Sequence, residues 1–428
     1  MPFKKANYMS FPSFKCSSLL PLEKFIGQKF SLIKGMFLLL IAIITPNYTF
    51  ANQEIASLRQ VFDGAVTPDK QVYTFSHSDK WFPVHVIKKG TYLHELSKSK
   101  IKLANITFDV NGKRYDLFDY LSLNRVAALL VLKNGKIVFE DYELGTKATT
   151  HWPSFSMAKS VVSTLVGIAL KDGYIESLND PISKYVSELK GSPYDNVSVR
   201  NAMQMTSGIK WDETYTDPYS ERSKLLEMQL NRDQEAVLPF MSTLEKAAEP
   251  GTVWNYNSGD VFLVGTIIER VTNKPLAEYL SQKIWKPWGM ESNASWWLLS
   301  HNGMGVGNGG IAATLRDFGR FGLLVQEDGV VNGNQIVPKG WFNEAGSSKL
   351  IGGKQIDYGY LWWTFPKEDT VHDGAFQAKG ICGQHIYINK KEKVVIVVLS
   401  SRPKPVAITP VNDGAFFAAV VKALHGSS

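Results

Sequence analysis

The sequence predicts an α+β fold, in which one antiparallel sheet is built from both ends of the chain and helices pack against it. Residues 127–140 hold two runs rich in strand-forming residues, and residues 384–400 hold a second such pair near the C-terminus. The intervening residues 174–330 have mainly helical patterns. Strands at both ends with helices between them indicate an α/β sandwich that carries a mostly helical subdomain.

Each strand pair has its own turn signal. Asn134-Gly135 separates the runs of the first pair, and this dipeptide favours a tight hairpin turn. A charged turn at residues 390–393 separates the runs of the second pair, and a final helix is expected over residues 414–424. Residues 52–120 mix strand-like runs, such as 71–75 and 106–113, with polar stretches. We therefore expect an export segment over 1–51, an N-terminal extension over 52–120 that packs on the main domain, and a main domain over 121–428.

The composition is that of an ordinary globular protein. The 428 residues are 44% hydrophobic and 20% charged. The net charge of +7 comes largely from residues 1–51, which hold six lysines and one glutamate and leave 41 basic against 39 acidic residues in the rest. This balance argues against nucleic acid as a partner. The only cysteines, Cys16 and Cys382, form no zinc-type cluster, and we expect neither metal nor cofactor.

The N-terminal segment has the pattern of an export signal. Lysines precede an apolar run over residues 36–44, and Thr49-Phe-Ala51 offers a cleavage site. The apolar run is too short to span a bilayer comfortably. We therefore expect an exported protein, in a bacterial periplasm or secreted. If the signal is not cleaved, it would anchor the protein in the membrane, and this is the one membrane association that the sequence indicates.

A serine and a lysine open an apolar helical run. In Ser156-Met-Ala-Lys159 the two residues are three apart, so their side chains would share a helix face at its N-terminus. The S-x-x-K pattern recurs elsewhere in the chain, but here it opens a helix that is apolar on most sides and ends at Gly173. Burial would partly desolvate both groups. In the alternative interpretation, Ser156 is an N-cap and Lys159 a surface lysine.

Two further segments carry groups that could assist. A loop over residues 249–260 holds Tyr256 and Ser258, and a tyrosine beside a Ser–Lys pair can take up or pass on a proton. Read alone, this tyrosine would be a packing residue. The segment 378–384 precedes the last strands, and its glycines would let a strand approach a ligand closely, or mark a simple bulge. A backbone N–H there, with that of Ser156, could bind the oxyanion of a tetrahedral intermediate.

Together the three segments resemble the signature of the serine β-lactamase and penicillin-binding-protein superfamily. That signature is S-x-x-K, then Y-x-N or Y-x-S, then K-T-G or a relative on an edge strand, and it stands here in order at residues 156–159, 256–258 and 378–380. The resemblance covers roughly residues 120–425 and looks strongest for the class C-like branch. Within that branch, the chain looks most like the nylon-oligomer (6-aminohexanoate dimer) hydrolases and related esterases.

The resemblance implies a β-lactamase/transpeptidase-like fold and a reaction. Ser156 would attack a carbonyl and form an acyl-enzyme, with Lys159 and Tyr256 moving the proton. Backbone N–H groups of Ser156 and Ile381 would form the oxyanion hole. The expected function is hydrolysis of ester or amide bonds in a small molecule, including cyclic amides or short oligomers. The alternative is a penicillin-binding or sensor-type protein that is acylated without efficient turnover. A homodimer is compatible with either.

Several residues are candidates for contact with the substrate. The motif positions Ser258, Ala378 and Gly380 are implied by the resemblance. Tyr215 stands in an acidic segment that could form a rim loop. Trp254, Trp362 and Trp363 could wall an apolar acyl pocket or pack in the core.

One departure bears on the substrate. In the family, the first residue of K-T-G is cationic or histidine and holds a β-lactam carboxylate, whereas Ala378 stands here. We therefore expect poor activity on β-lactams and better activity on uncharged or differently charged esters and amides. Alternation along a strand should point Lys379 away from the neighbours of Ala378.

Two other chemistries stay open from the sequence. A Ser-His-Asp hydrolase would need a histidine near Ser156, and His151, His372 and His385 are candidates, although no G-x-S-x-G elbow is present. The glycine-rich residues 303–310 imitate a nucleotide-binding loop but lack the strand of a βαβ unit. We expect them to line the cleft or to form a tight loop.

Overall fold

The computed structural model describes residues 54–103, 106–406 and 409–426, so the predicted export segment lies outside the described residues. The α-helices are Leu58–Phe62, Pro68–Phe75, Leu117–Leu123, Met157–Lys171, Ile182–Tyr185, Val199–Met203, Glu221–Leu230, Gln234–Ser242, Ser258–Thr272, Leu276–Leu280, Lys286–Trp288, Leu315–Gln326, Trp341–Ala345 and Asp413–Leu424. The strands outside the main sheet are Val84–Ile87, Thr107–Val110, Lys113–Asp116, Trp152–Pro153, Ala294–Trp297, Ile311–Ala313, Val330–Val331, Asn334–Gln335, Lys349–Ile351 and Lys354–Ile356. None of the helices in these residues has the length and apolar character needed to cross a membrane.

The main sheet joins both ends of the described chain. Its six strands within the described residues run in the order Trp363–Thr364, Ala375–Gly380, Gln384–Asn389, Val394–Ser400, Val126–Lys133 and Lys136–Tyr142. All neighbouring strands are antiparallel. Because Val126–Lys133 pairs with Val394–Ser400, the hairpin from the N-terminal half and the hairpin from the C-terminal half form one sheet. The predicted α+β fold is confirmed.

The central strands are covered on both faces. Leu130 and Leu132 belong to the larger core, which the helices Met157–Lys171 and Leu315–Gln326 share. Leu129 and Val131 belong to a second core beneath the helix Asp413–Leu424. Successive side chains of a strand point to opposite faces, so an uninterrupted apolar run needs a cover on each side. This explains why residues 126–133 carry such a run.

A smaller sheet, which the sequence did not indicate, positions the start of the serine helix Met157–Lys171. Its four strands in the described residues run in the order Val84–Ile87, Ala294–Trp297, Ile311–Ala313 and Trp152–Pro153. The Ser154 N–H donates to the Ile311 carbonyl at 2.7 Å. The chain is therefore held on a sheet edge two residues before Ser156.

Residues of the predicted N-terminal extension contact both cores. Phe62 and Phe75 pack in the larger core, and Phe108 packs in the second. The strand expected at residues 71–75 is wrong, because these residues belong to the helix Pro68–Phe75. Pro68 explains why the helix starts here, because the fixed φ angle of proline suits the first position of a helix. The strand-like run at 106–113 forms a hairpin of Thr107–Val110 and Lys113–Asp116.

Candidate active site

The serine helix begins immediately after a strained turn. Phe155 adopts φ +44°, a left-handed conformation that is uncommon for a residue with a side chain. Its ring packs edge-on against Phe75 at 5.3 Å, which holds the turn in place. Ser156 occupies the N-cap position but its side chain makes no capping hydrogen bond. The hydroxyl is thus free for another role, and strain at this point is typical of a functional site.

Lys159 is buried beside Ser156. Its side chain is 2% exposed, and Nζ donates to Ser156 Oγ at 2.9 Å and to the Asn308 carbonyl at 2.9 Å. Burial lowers the pKa of Lys159 from 10.5 to about 7, although the Glu213 carboxylate acts in the opposite direction. The surface-lysine alternative is therefore wrong. Asn308 belongs to the glycine-rich segment 303–310, so that segment lines the site.

Tyr256 completes a compact group around the serine hydroxyl. Lys159 Nζ lies 5.1 Å from the centroid of its ring, and the Trp363 ring stacks on it with a centroid distance of 5.7 Å. Burial raises the pKa of Tyr256, the Glu213 carboxylate raises it further, and a hydrogen bond with Ser156 opposes both. The phenol therefore stays protonated at neutral pH, which suits a proton donor better than a base.

The strand Ala375–Gly380 approaches the serine turn very closely. A Cβ on Gly380 would lie 2.4 Å from the Ser154 carbonyl oxygen, so only glycine fits at this position. Ile381 follows directly and lines the cleft with Ser156. Within the described residues, neither the Ser156 N–H nor the Ile381 N–H donates a hydrogen bond. Both N–H groups are thus available to a ligand oxygen.

The cleft in front of Ser156 has a volume of about 700 Å³. Tyr256, Tyr215 and Gly380 line it together with Ser156, so the structure brings these predicted residues to one site. A larger groove of about 1330 Å³ lies elsewhere, around His77, Lys147 and His151. The groove holds no Ser–Lys pair of this kind, so we place the candidate active site in the smaller cleft.

Two predicted substrate contacts need correction. Trp362 is fully buried and packs edge-on against Phe376 at 5.1 Å, and Ala378 is fully buried in the larger core. Their neighbours Trp363 and Lys379 face the cleft instead. Because side chains alternate along an extended chain, an error of one residue exchanges the core face for the cleft face.

Ser258 lies behind the Ser156–Lys159 pair rather than in the open cleft. Its side chain is buried, and it lines a small adjoining cavity with Ser156 and Lys159. The Ser258 hydroxyl donates to a Glu213 carboxylate oxygen at 2.6 Å, and its backbone N–H donates to the other at 3.1 Å. This residue therefore anchors the start of the helix Ser258–Thr272.

Glu213 is a functional candidate that sequence reasoning missed. Besides both Ser258 groups, its carboxylate accepts from Trp211 Nε1 at 2.6 Å and from the Tyr215 hydroxyl at 3.2 Å. It thereby joins the rim segment to the tyrosine loop. The sequence held no local signal for this role, since Ser258 is 45 residues away.

We expect Glu213→Gln to shift the acidic limb of kcat/KM to lower pH. The Glu213 charge raises the pKa of Lys159, so removing that charge lowers the pKa at which the amine becomes neutral. The amide also places N–H groups against hydrogen-bond donors, so the plateau activity should fall by roughly tenfold. Glu245→Gln, which alters an exposed ion pair with Lys210, serves as the control. An unshifted limb in the Glu213 variant would contradict this role.

The structure does not support a serine–histidine pair. His385 lines the cleft, but Nδ1 lies 2.9 Å from Gln377 Oε1 and Nε2 lies 3.3 Å from an Asp413 carboxylate oxygen. His151 bonds to a backbone carbonyl, and His372 bonds to the Tyr387 hydroxyl. Over residues 54–103, 106–406 and 409–426, no histidine bonds to Ser156 and no cluster could hold a metal ion.

Comparisons with known proteins show which family this chain is similar to. The Beta-lactamase family model matches residues 124–418. A 6-aminohexanoate-dimer hydrolase of Paenarthrobacter ureafaciens is 30% identical over 309 residues, which cover 68% of this chain and 76% of the relative.

Solved structures give the same picture. A structure provisionally assigned as a 6-aminohexanoate-dimer hydrolase from Bacillus anthracis superimposes with a TM-score of 0.74 at 25% identity, covering 87% of this chain and 98% of that one. A penicillin-binding protein homologue from Pyrococcus abyssi shares the fold, with a TM-score of 0.54 at 18% identity over 72% of this chain and 74% of that one. The chain therefore belongs to the beta-lactamase family and is a hydrolase of that family.

Proposed function

We propose that this protein hydrolyses ester or amide bonds of small molecules through an acyl-enzyme formed on Ser156. The observation that supports this most strongly is the buried Lys159 amine, 2.9 Å from Ser156 Oγ. Because burial brings the pKa of Lys159 to about 7, a large fraction of the amine is neutral at neutral pH. A neutral amine beside a hydroxyl can act as a general base, which an ordinary lysine cannot.

In the proposed reaction, the Ser156 proton passes to the Lys159 amine as Oγ attacks the substrate carbonyl carbon. The negative charge that develops on the carbonyl oxygen is stabilised by the backbone N–H groups of Ser156 and Ile381. Tyr256 gives its phenolic proton to the leaving group and regains one from Lys159, so the C–O or C–N bond breaks without releasing a strong base. Water then attacks the acyl-enzyme by the same route and releases the acid.

The substrate is proposed to be a short amide or ester. The Paenarthrobacter relative is named as a 6-aminohexanoate-dimer hydrolase, and two units of this amino acid are joined through an amide bond. The rings of Tyr215, Tyr256 and Trp363 line the cleft here and suit an aliphatic chain. The 6-aminohexanoate dimer and p-nitrophenyl esters of short fatty acids are therefore the first substrates to try.

The test is the intact mass of the protein after brief exposure to a p-nitrophenyl acyl ester and, separately, to benzylpenicillin. We expect a transient adduct of one acyl group with the ester, accompanied by release of product. Ser156→Ala, run alongside, should form no adduct.

Other outcomes separate the alternatives. A lasting adduct with benzylpenicillin, without release of product, would indicate a penicillin-binding or sensor-type protein. Faster turnover of benzylpenicillin than of the ester, compared as kcat/KM, would reject the expected preference against β-lactams. Absence of any adduct and any product would reject the proposed chemistry.

A further inference from the structure

A small cavity lies behind Ser156 and adjoins the open cleft. Its volume is about 30 Å³, which is enough for a water molecule but too small for a substrate. Ser156 lines both spaces, but its neighbours in them differ. Tyr256 lines the open cleft, whereas Lys159 lines the small cavity. The serine therefore presents one side to the proposed proton donor and another side to the proposed base.

Three polar side chains in the wall of the small cavity have unused hydrogen-bonding atoms. Arg222, Gln229 and Asn308 line the cavity and are 6%, 2% and 4% exposed. Within the described residues, Arg222 Nη1, Gln229 Nε2 and Asn308 Oδ1 make no hydrogen bond. Leaving a buried polar atom unpaired is costly, so such atoms commonly bind an ordered water molecule. Two donors and one acceptor around one small space are a suitable set for a single water.

The fold places these three groups beside the Ser156–Lys159 pair. Arg222 and Gln229 are about two turns apart on the helix Glu221–Leu230, so both lie on one face of it. Asn308 comes from the glycine-rich segment, and its backbone carbonyl accepts from Lys159 Nζ at 2.9 Å. A water bound by these side chains would therefore be a neighbour of the lysine amine.

The charges around the cavity favour a neutral amine. Burial is the main cause that lowers the pKa of Lys159, and the Arg222 guanidinium acts in the same direction. Arg222 itself is paired at a distance, because its Nε lies 3.8 Å from a Glu213 carboxylate oxygen. A neutral amine can take a proton from water, which an ammonium cannot. The cavity thus combines an enclosed polar space with a base.

We propose that the small cavity holds the water molecule that hydrolyses the acyl-enzyme. Arg222, Gln229 and Asn308 bind this water. Its oxygen bonds to the acyl carbon while one of its protons passes to Lys159 Nζ. The bond from that carbon to Ser156 Oγ then breaks as Oγ takes a proton from Lys159, and the acid is released. This assignment rests on the proposed function, because it concerns deacylation of the same serine.

The proposal assigns the water and the leaving group to different sides of Ser156. The leaving group departs through the open cleft, where Tyr256 gives it a proton. An alcohol that is too large for the small cavity must approach through the same cleft, by the reverse of this departure. Damage to the water site should therefore slow hydrolysis of the acyl-enzyme without slowing transfer of the acyl group to such an alcohol.

The variants Gln229→Met and Asn308→Leu test the proposal with p-nitrophenyl butyrate, because each removes one polar group at similar size. The burst of p-nitrophenol gives the rate constant of acylation. Decay of the acyl adduct, followed by rapid quenching and intact mass, gives the rate constant of deacylation. We expect deacylation to slow by roughly tenfold in each variant, since one hydrogen bond to the water is lost. Acylation should be little changed.

Transfer to 1-butanol gives a second measure. With the alcohol present, the ratio of butyl butyrate to butyrate should rise in both variants by the factor by which deacylation slows. Gln326→Met is the matched control. Gln326 Nε2 also makes no hydrogen bond within the described residues, but this residue lines neither space. The control should leave both rate constants and the product ratio unchanged.

Other results would overturn the proposal in distinguishable ways. The water assignment fails if both variants deacylate as fast as wild type, or if acylation falls by the same factor as deacylation and the product ratio stays constant. The proposed function still stands in either case if wild type forms the adduct and Ser156→Ala does not. If wild type forms neither adduct nor product, the proposed function fails and takes the assignment with it. Should one variant fold poorly by thermal melting, the other decides.

Discussion

Replacing Ser156 with alanine is expected to lower kcat for any ester or amide substrate by about a thousandfold or more, because the nucleophile is removed while the cleft is kept. The expected loss is large because, in the proposed reaction, the oxyanion hole and Lys159 act only on a covalent step that begins at Ser156 Oγ. Burst kinetics with a p-nitrophenyl ester measure this effect, since both the burst and the steady-state rate should disappear. Folding should be little affected, because the Ser156 side chain makes no capping hydrogen bond and Lys159 keeps its hydrogen bond to the Asn308 carbonyl.

Ser163→Ala is the matched control. Ser163 lies in the same helix and is fully buried, and its hydroxyl has no hydrogen-bond partner within the described residues. Its removal should therefore leave both melting temperature and kcat close to those of wild type. If Ser156→Ala kept more than about a tenth of wild-type activity, another group would have to be the nucleophile.

The fold could be predicted where it depends on neighbouring residues in the sequence or on a strong pattern of apolar residues. The dipeptide Asn134-Gly135 predicts a tight hairpin turn from its own residue types. The apolar runs at residues 126–133 and 394–400 predict strands that are covered on both faces. The helix Pro68–Phe75 was predicted wrongly because a run with residues that favour strands outweighed the proline that starts the helix. The smaller sheet gave no signal, since its strands are two to four residues long and far apart in sequence.

The candidate site was predictable only in part, for a related reason. Ser156 and Lys159 are neighbours on one helix, so their contact follows from helical geometry. The sequence did not separate Trp363 from Trp362 as a wall of the cleft, and it placed Ala378 rather than Lys379 toward the site. The choice of face depends on which neighbours pack there, and the sequence around these residues does not specify them. Glu213 was missed because its partners come from a loop that only tertiary structure brings close. The sequence thus indicates the candidate nucleophile and base, whereas the identity of the side chains that surround them depends on packing.

The pH dependence of the reaction should report the state of Lys159. Because the base must be neutral, kcat/KM is expected to fall about tenfold for each pH unit below the pKa of this amine and to level off above it. Burial places that pKa at about 7, so the acidic limb should have its midpoint near that pH. Lys159→Met and Lys159→Arg should both be nearly inactive at every pH, since the first lacks the amine and the second carries a permanent charge.

The same shift predicts a stability effect that separates Lys159 from other causes of an acidic limb. The pKa of Lys159 falls from 10.5 in the unfolded chain to about 7 in the folded protein, so between these values the unfolded state binds the extra proton. The contribution of this residue to folding stability therefore rises with pH over that window and is constant below it. The difference in free energy of unfolding between Lys159→Met and wild type should change in favour of wild type between pH 7 and 10. A constant difference would mean that folding does not lower the pKa of Lys159. An acidic limb with its midpoint below about pH 5 would mean that a carboxylate rather than the Lys159 amine controls the proton transfer.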